Sequence, residues 1–99
     1  MIKFTNGKTI TNAEAAALIR KEPYGLIIFH LIDKDNHRCA CGVIVNAQPL
    51  NSPFHNKHPW PTVDSFDIWS DMVNANNSFI GTPIERREYM ARWFETRSD

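Results

Sequence analysis

Two cysteines one residue apart, closely preceded by a histidine in NHRCACGVIVN (residues 36 to 46), are the side chains of this protein best equipped for chemistry. Cys39 and Cys41, joined by two imidazoles drawn from His30, His37, His55 and His58, would supply the ligands that zinc takes in tetrahedral sites. The spacing argues against it, because no C-x-x-C knuckle is present to wrap a turn around a metal. A cysteine nucleophile with His30 as its base is the second chemistry open to the cluster, since a neighbouring imidazole can lower a thiol pKa. It also needs a cleft, an orienting third group and an oxyanion site, which the sequence does not place. The plainer reading is core: free cysteine behaves as a small hydrophobe, and on a strand both would share a face with Ile28, Ile32, Val43 and Val45. On a strand their Cα atoms would also sit near the ~7 Å limit for a bridge, so reduced thiols are expected. Neither a metal nor another cofactor is expected.

The remaining candidates are surfaces. QPLNSPFHNKHPWPTV has four prolines and reads as a long irregular connection. Within it Phe54, His55, His58 and Trp60 combine large apolar area with little conformational freedom, the chemistry of interface anchors. The alternative is that Trp60 folds back onto the core. Asp64, Asp67 and Asp71 form a stripe that needs no ligand, as the solvated face of an amphipathic helix. Arg86, Arg87, Arg92 and Arg97 are interleaved with Glu85, Glu88 and Glu95, which neutralises the field a phosphate-tracking helix requires.

These residues must be positioned by elements whose signals are uneven. Ile2 and Phe4 alternate before Asn6-Gly7, a dipeptide suited to a type I′ hairpin turn. Thr11 with Glu14 forms a capping box that opens a helix, and Pro23 closes it. GLIIFHLI and CGVIV flank the polar turn Lys34-Asp35-Asn36-His37 and predict a second hairpin, with Asp33 opposite Arg38, Ile32 opposite Cys39 and His30 opposite Cys41. A helix starting at Cys39 competes with it, disfavoured by Gly42 and the run Val43-Ile44-Val45. Phe66, Trp69, Met72 and Val73 recur at helical spacing. A last helix has Thr82 as N-cap, Pro83 at its first position, Glu85 completing a capping box and Glu88 four before Arg92. The expected fold is α+β, a single domain over residues 1–99: a small antiparallel sheet of two hairpins packed with one N-terminal and two C-terminal helices, in the order ββαββαα. Its core should include Phe4, Ile10, Leu18, Ile28, Phe29, Leu31, Val43, Val45, Phe66, Trp69, Met90, Trp93 and Phe94.

Composition narrows the function classes. The 99 residues are 42% hydrophobic and 22% charged, far from the composition of disorder. Lysine plus arginine equals aspartate plus glutamate at 11 each, so no net field favours nucleic acid, and charge mimicry of DNA is equally disfavoured. GLIIFHLI is too short to span a bilayer, and MIKFTNGK lacks the apolar core of a signal peptide, so a cytoplasmic protein is expected.

The succession RCACGVI, DIWSDMVNANN and TPIERREYMARWF resembles a pattern of small uncharacterised proteins of bacteria and their phages, over about the last two thirds of the chain. That resemblance carries no assigned activity or site residue. It implies a phage accessory protein, a type of which some members bind and block host or defence enzymes, CRISPR effectors included. The leading expectation is a non-enzymatic module that binds a protein partner through Phe54, His55, His58 and Trp60. The alternative is a zinc-binding or cysteine-dependent enzyme centred on Cys39, Cys41 and His30, with His37 as a further ligand.

Overall fold

Both capping boxes form. Thr11 Oγ1 accepts from the Glu14 amide at 3.0 Å while Glu14 Oε1 accepts from the Thr11 amide at 3.1 Å, opening α1 (Asn12–Arg20). Thr82 and Glu85 repeat the exchange at 3.1 and 2.9 Å, opening α4 (Pro83–Glu95), with Pro83 in the first turn, where no intrahelical donor is missed. The computed structural model describes residues 1–49, 52, 63 and 66–97. Among these the element order is β1 (Ile2–Lys3), β2 (Thr9–Ile10), α1, α2 (Ala40–Ile44), α3 (Phe66–Ser78) and α4. The α+β class holds, and the order is ββαααα rather than ββαββαα.

β1 and β2 pair antiparallel, Ile2 with Ile10 and Lys3 with Thr9. Their turn is not the type I′ expected of Asn6-Gly7. The Gly7 amide donates to Phe4 O at 3.0 Å, the Phe4 amide to Lys8 O at 2.8 Å, and Gly7 takes φ +89° while Asn6 stays outside the positive-φ region. A three-residue loop ending in a left-handed residue results. Residues 33 to 37 reproduce it: the Asp33 amide donates to His37 O at 2.9 Å, the Asn36 amide to Asp33 O at 3.1 Å, and Asn36 takes φ +64°.

The second hairpin stops at that turn. A single bridge joins Ile32 to Arg38, one residue out of the expected register, and neither flank extends into a strand. The apolar run finds other backbone partners. The Leu26 amide donates to Pro83 O at 3.0 Å and the Ile27 amide to Arg38 O at 3.1 Å. Leu26 O accepts from Arg86 Nη1 at 3.1 Å, Ile27 O from Asn76 Nδ2 at 3.0 Å, and the Phe29 amide donates to Asn77 Oδ1 at 3.2 Å. Side chains of α3 and α4 thus satisfy groups that a neighbouring strand would otherwise take.

Cys39 to Val45 takes the competing path and forms α2. Its end is a Schellman motif: Asn46 adopts φ +53°, its amide donates to Val43 O at 3.1 Å and the Ala47 amide to Gly42 O at 2.8 Å. α2 packs against α1 and α3, and α1 lies mainly on α4. One hydrophobic cluster draws on all six elements, including Ile2, Phe4, Ile10, Ala15, Ile19, Leu26, Cys41, Ile44, Met72, Met90 and Phe94. Leu31, Trp69 and Trp93 pack on it half-buried, and Val43 and Val45 are buried. Two expected core residues are not inside: Leu18 borders solvent on α1 and Phe29 is exposed. Ile28 is half-buried, and the side chain of Phe66 lies outside the described residues.

Candidate functional site: an apolar edge beside a buried polar node

Asn76 and Arg86 determine how the irregular segment 24–31 is held. Asn76 is 1% exposed. Its Oδ1 accepts from the Ala40 amide at 3.0 Å, and its Nδ2 donates to Ile27 O at 3.0 Å and Asn77 Oδ1 at 3.1 Å. Arg86, also buried, donates to the carbonyls of Asn76, Leu26 and Phe79 at 3.0, 3.1 and 3.0 Å. Three backbone segments therefore converge on two side chains. A signal for both is present in the sequence: Asn76 lies four residues after Met72, and Arg86 four before Met90, so each is a polar residue on a buried stripe, a position that requires hydrogen-bond partners.

This node fixes an edge where segment 24–29, the end of α3 and the start of α4 meet. Gly25, at φ +79°, comes so close to α4 that a Cβ there would lie 2.3 Å from the carbonyl carbon of Pro83. On the segments that meet there, Tyr24, Phe29, Ile80 and Ile84 are all exposed, with Phe29 at 73% and Ile80 at 95%. The Phe29 backbone is left-handed at φ +68°, a conformation bulky residues avoid, and Asn77 holds its amide there. The Tyr24 ring packs tilted against that of His37, at an interplanar angle of 34° with centroids 4.7 Å apart. Exposed apolar side chains grouped on a prepared backbone can serve as contact anchors for another protein.

The thiols are elsewhere. Cys39 is the N-cap of α2, its Sγ accepting from the Gly42 amide at 3.4 Å, and Cys41 lies on the first turn. Both are free of disulfide and buried. Donation from Cys41, ahead of the Gly42 amide, pulls the Cys39 pKa below the ordinary thiol range, and burial only partly opposes this. The same hydrogen bond, with burial, pushes Cys41 up. His30 is exposed on the irregular segment and not across a strand from Cys41. His37 sits in the 33–37 turn, its Nδ1 3.7 Å from Asp33 Oδ2. The four candidate ligands Cys39, Cys41, His30 and His37 are thus not gathered into one centre, and among the described residues no three of His, Cys, Asp or Glu are placed to hold a metal ion. Phe54, His55, His58 and Trp60 lie outside the described residues.

A groove of about 400 Å³ runs between the hairpin, α1 and the end of α2, lined by Phe4, Ile10, Leu18, Val43 and Val45 with Lys8 at its side. Asn6 and Asn46 also line it, and among the described residues its lining includes no histidine, cysteine or carboxylate. No helix of the described residues is long and apolar enough to cross a membrane. Comparison with known proteins finds no match to a family model, a curated protein or a solved structure.

Proposed function

We propose that this chain is a non-enzymatic protein-binding module whose contact surface is the edge bearing Tyr24, Phe29, Ile80 and Ile84. Phe29 carries the reading. A large ring in water on a left-handed backbone contributes little to the isolated fold, and such outliers recur where a surface is shaped for a partner. The balanced charge of 11 basic and 11 acidic residues directs the search to proteins ahead of nucleic acid. The resemblance to phage accessory proteins makes a host or defence enzyme, CRISPR effectors among them, the partner class to examine first, with inhibition as the activity to assay.

The test places a photo-crosslinking phenylalanine at Ile80 in the otherwise unchanged protein, expressed in its host cells. A discrete protein adduct is expected. It should disappear when Phe29→Gly is added, and should not form when the crosslinker stands at Thr9 on the hairpin. An adduct that survives Phe29→Gly but is lost with Trp60→Ala would move the contact surface to the proline-rich connection. Adducts indifferent to both substitutions would remove the interaction reading.

A further inference from the structure

We infer that Cys39 and Cys41 are a redox site: a dithiol that a small peroxide closes to an intramolecular disulfide. The inference goes beyond the interaction reading and does not depend on it. Its first support is backbone geometry. The Cα separation of residues 39 and 41 is set by the φ and ψ of Ala40 between them, and Ala40 opens a helix. An i, i+2 pair across a helical residue stands about 5.4 Å apart by helix geometry, inside the usual disulfide range, whereas the same pair on a strand lies at its limit. The second support is that the two thiols have distinct surroundings. The Cys39 sulfur, at the N-cap of α2, accepts from the Gly42 N–H at 3.4 Å, whereas Cys41 lies inside the first turn, so negative charge is better stabilised on Cys39. The third is the order of burial. Cys39 is 6% exposed and Cys41 2% exposed, so Cys39 lies the nearer of the two to solvent, and burial of the pair selects a small oxidant such as hydrogen peroxide over a peptide disulfide.

The chemistry balances with peroxide as the two-electron oxidant. The Cys39 thiolate attacks one peroxide oxygen, the O–O bond breaks, and hydroxide leaves and recovers the proton that the thiol had released, giving a sulfenic acid and one water. Cys41 then attacks the Cys39 sulfur, the S–O bond breaks, and the departing hydroxide takes the Cys41 proton as a second water. The dithiol loses two electrons and two protons, and peroxide is reduced to two waters. Closing the bridge turns the Cys39 side chain away from the Gly42 amide, so the start of α2 loses its cap. Ala40, between the two sulfurs, is held by Asn76, and its environment must change with them.

The experiment treats the reduced full chain with hydrogen peroxide and measures its intact mass, its free thiols and the amide resonances of Ala40 and Gly42. The expected product is lighter by two hydrogen atoms, has lost both thiols together, shows shifted Ala40 and Gly42 resonances and is restored by dithiothreitol. Its rate should rise with pH through a midpoint below that of an ordinary thiol. Cys41→Ser should arrest the reaction at a Cys39 sulfenic acid that dimedone traps, and Cys39→Ser should leave Cys41 unreactive. Oxygen added to one sulfur of the wild-type protein with no hydrogen loss, reaction only after unfolding, or a Cys39→Ser protein as reactive as wild type would each overturn the inference. The wild-type measurement decides even where a variant does not fold. None of these readouts involves a partner, so their failure leaves the interaction reading untouched.

Discussion

At the scale of single residues, the strongest departure from ordinary chemistry is a phenylalanine whose ring is largely in water and whose backbone is left-handed. The left-handed region costs a residue with a Cβ about 1–2 kcal/mol, and replacement by glycine returns that while adding roughly 1 kcal/mol of unfolded-chain entropy. Phe29→Gly should therefore leave urea stability unchanged or raised by up to ~1 kcal/mol, while crosslinking through position 80 disappears. A clear loss of stability would instead place the ring in the fold. Three surface carboxylates bear on pH. Asp33 is held below its ordinary 3.8, chiefly by the His37 backbone N–H. Glu85 is held below 4.5 by the Thr82 backbone N–H, and Glu95 below 4.5 by the Arg20 side chain. Because each folded value lies beneath the unfolded one, the stabilisation is complete above the ordinary value and is lost as pH falls through the folded value. Denaturant stability measured from neutral pH to about pH 3 should begin to fall below the ordinary carboxylate range. Asp33→Asn, which keeps an acceptor but cannot titrate, should flatten part of that fall.

At the scale of elements, α2 shows local preference and tertiary demand in opposition. Gly42 and the β-branched run Val43-Ile44-Val45 weaken a helix, and intrinsic propensity would favour alanine over glycine there by about 1 kcal/mol. A Cβ at Gly42, however, would lie 1.8 Å from Leu31 O, so the glycine is what lets the irregular segment cross the helix. Gly42→Ala is expected to destabilise the protein by about 3 kcal/mol despite its better propensity. The check is a urea titration of the folded protein. A stabilised variant would mean that segment 24–31 does not cross α2 where it is placed. The caps of α1 and α4 were legible because their partners are three residues away. The turns at Gly7 and Asn36 were legible in position but not in type, since the loop closes one residue wider than a two-residue turn.

For the whole molecule, cohesion runs through Asn76. It joins α2, segment 26–29 and α3 while buried, and Arg86 ties the same segment to α4. Asn76→Leu fills a similar volume but leaves the Ala40 N–H and the Ile27 carbonyl without these partners. The expected loss is about 2–4 kcal/mol, measured by denaturant unfolding. The same variant should speed amide exchange at Ala40 and Phe29 before global unfolding, because Phe29 hangs on Asn77, to which Asn76 donates. Exchange that is faster everywhere alike would mean that the node is not a local tie.

Residues three or four apart were enough to fix two capped helices, an amphipathic third and the placing of two turns, and composition alone fixed the balanced charge. The tertiary structure alone decided the middle of the chain. GLIIFHLI has the β-branched, apolar character of a strand, but backbone groups bond to whatever partner folding brings near, and here those partners are Arg38 and, far along the chain, Pro83, Asn76, Asn77 and Arg86. With no neighbouring strand among the described residues, Cys39 caps a helix instead. A helical Ala40 then sets the Cα atoms of the two cysteines closer than a strand would, and Phe29 was turned from the expected core out to solvent. A residue's propensity is local, whereas burial and hydrogen-bond partners belong to the assembled chain.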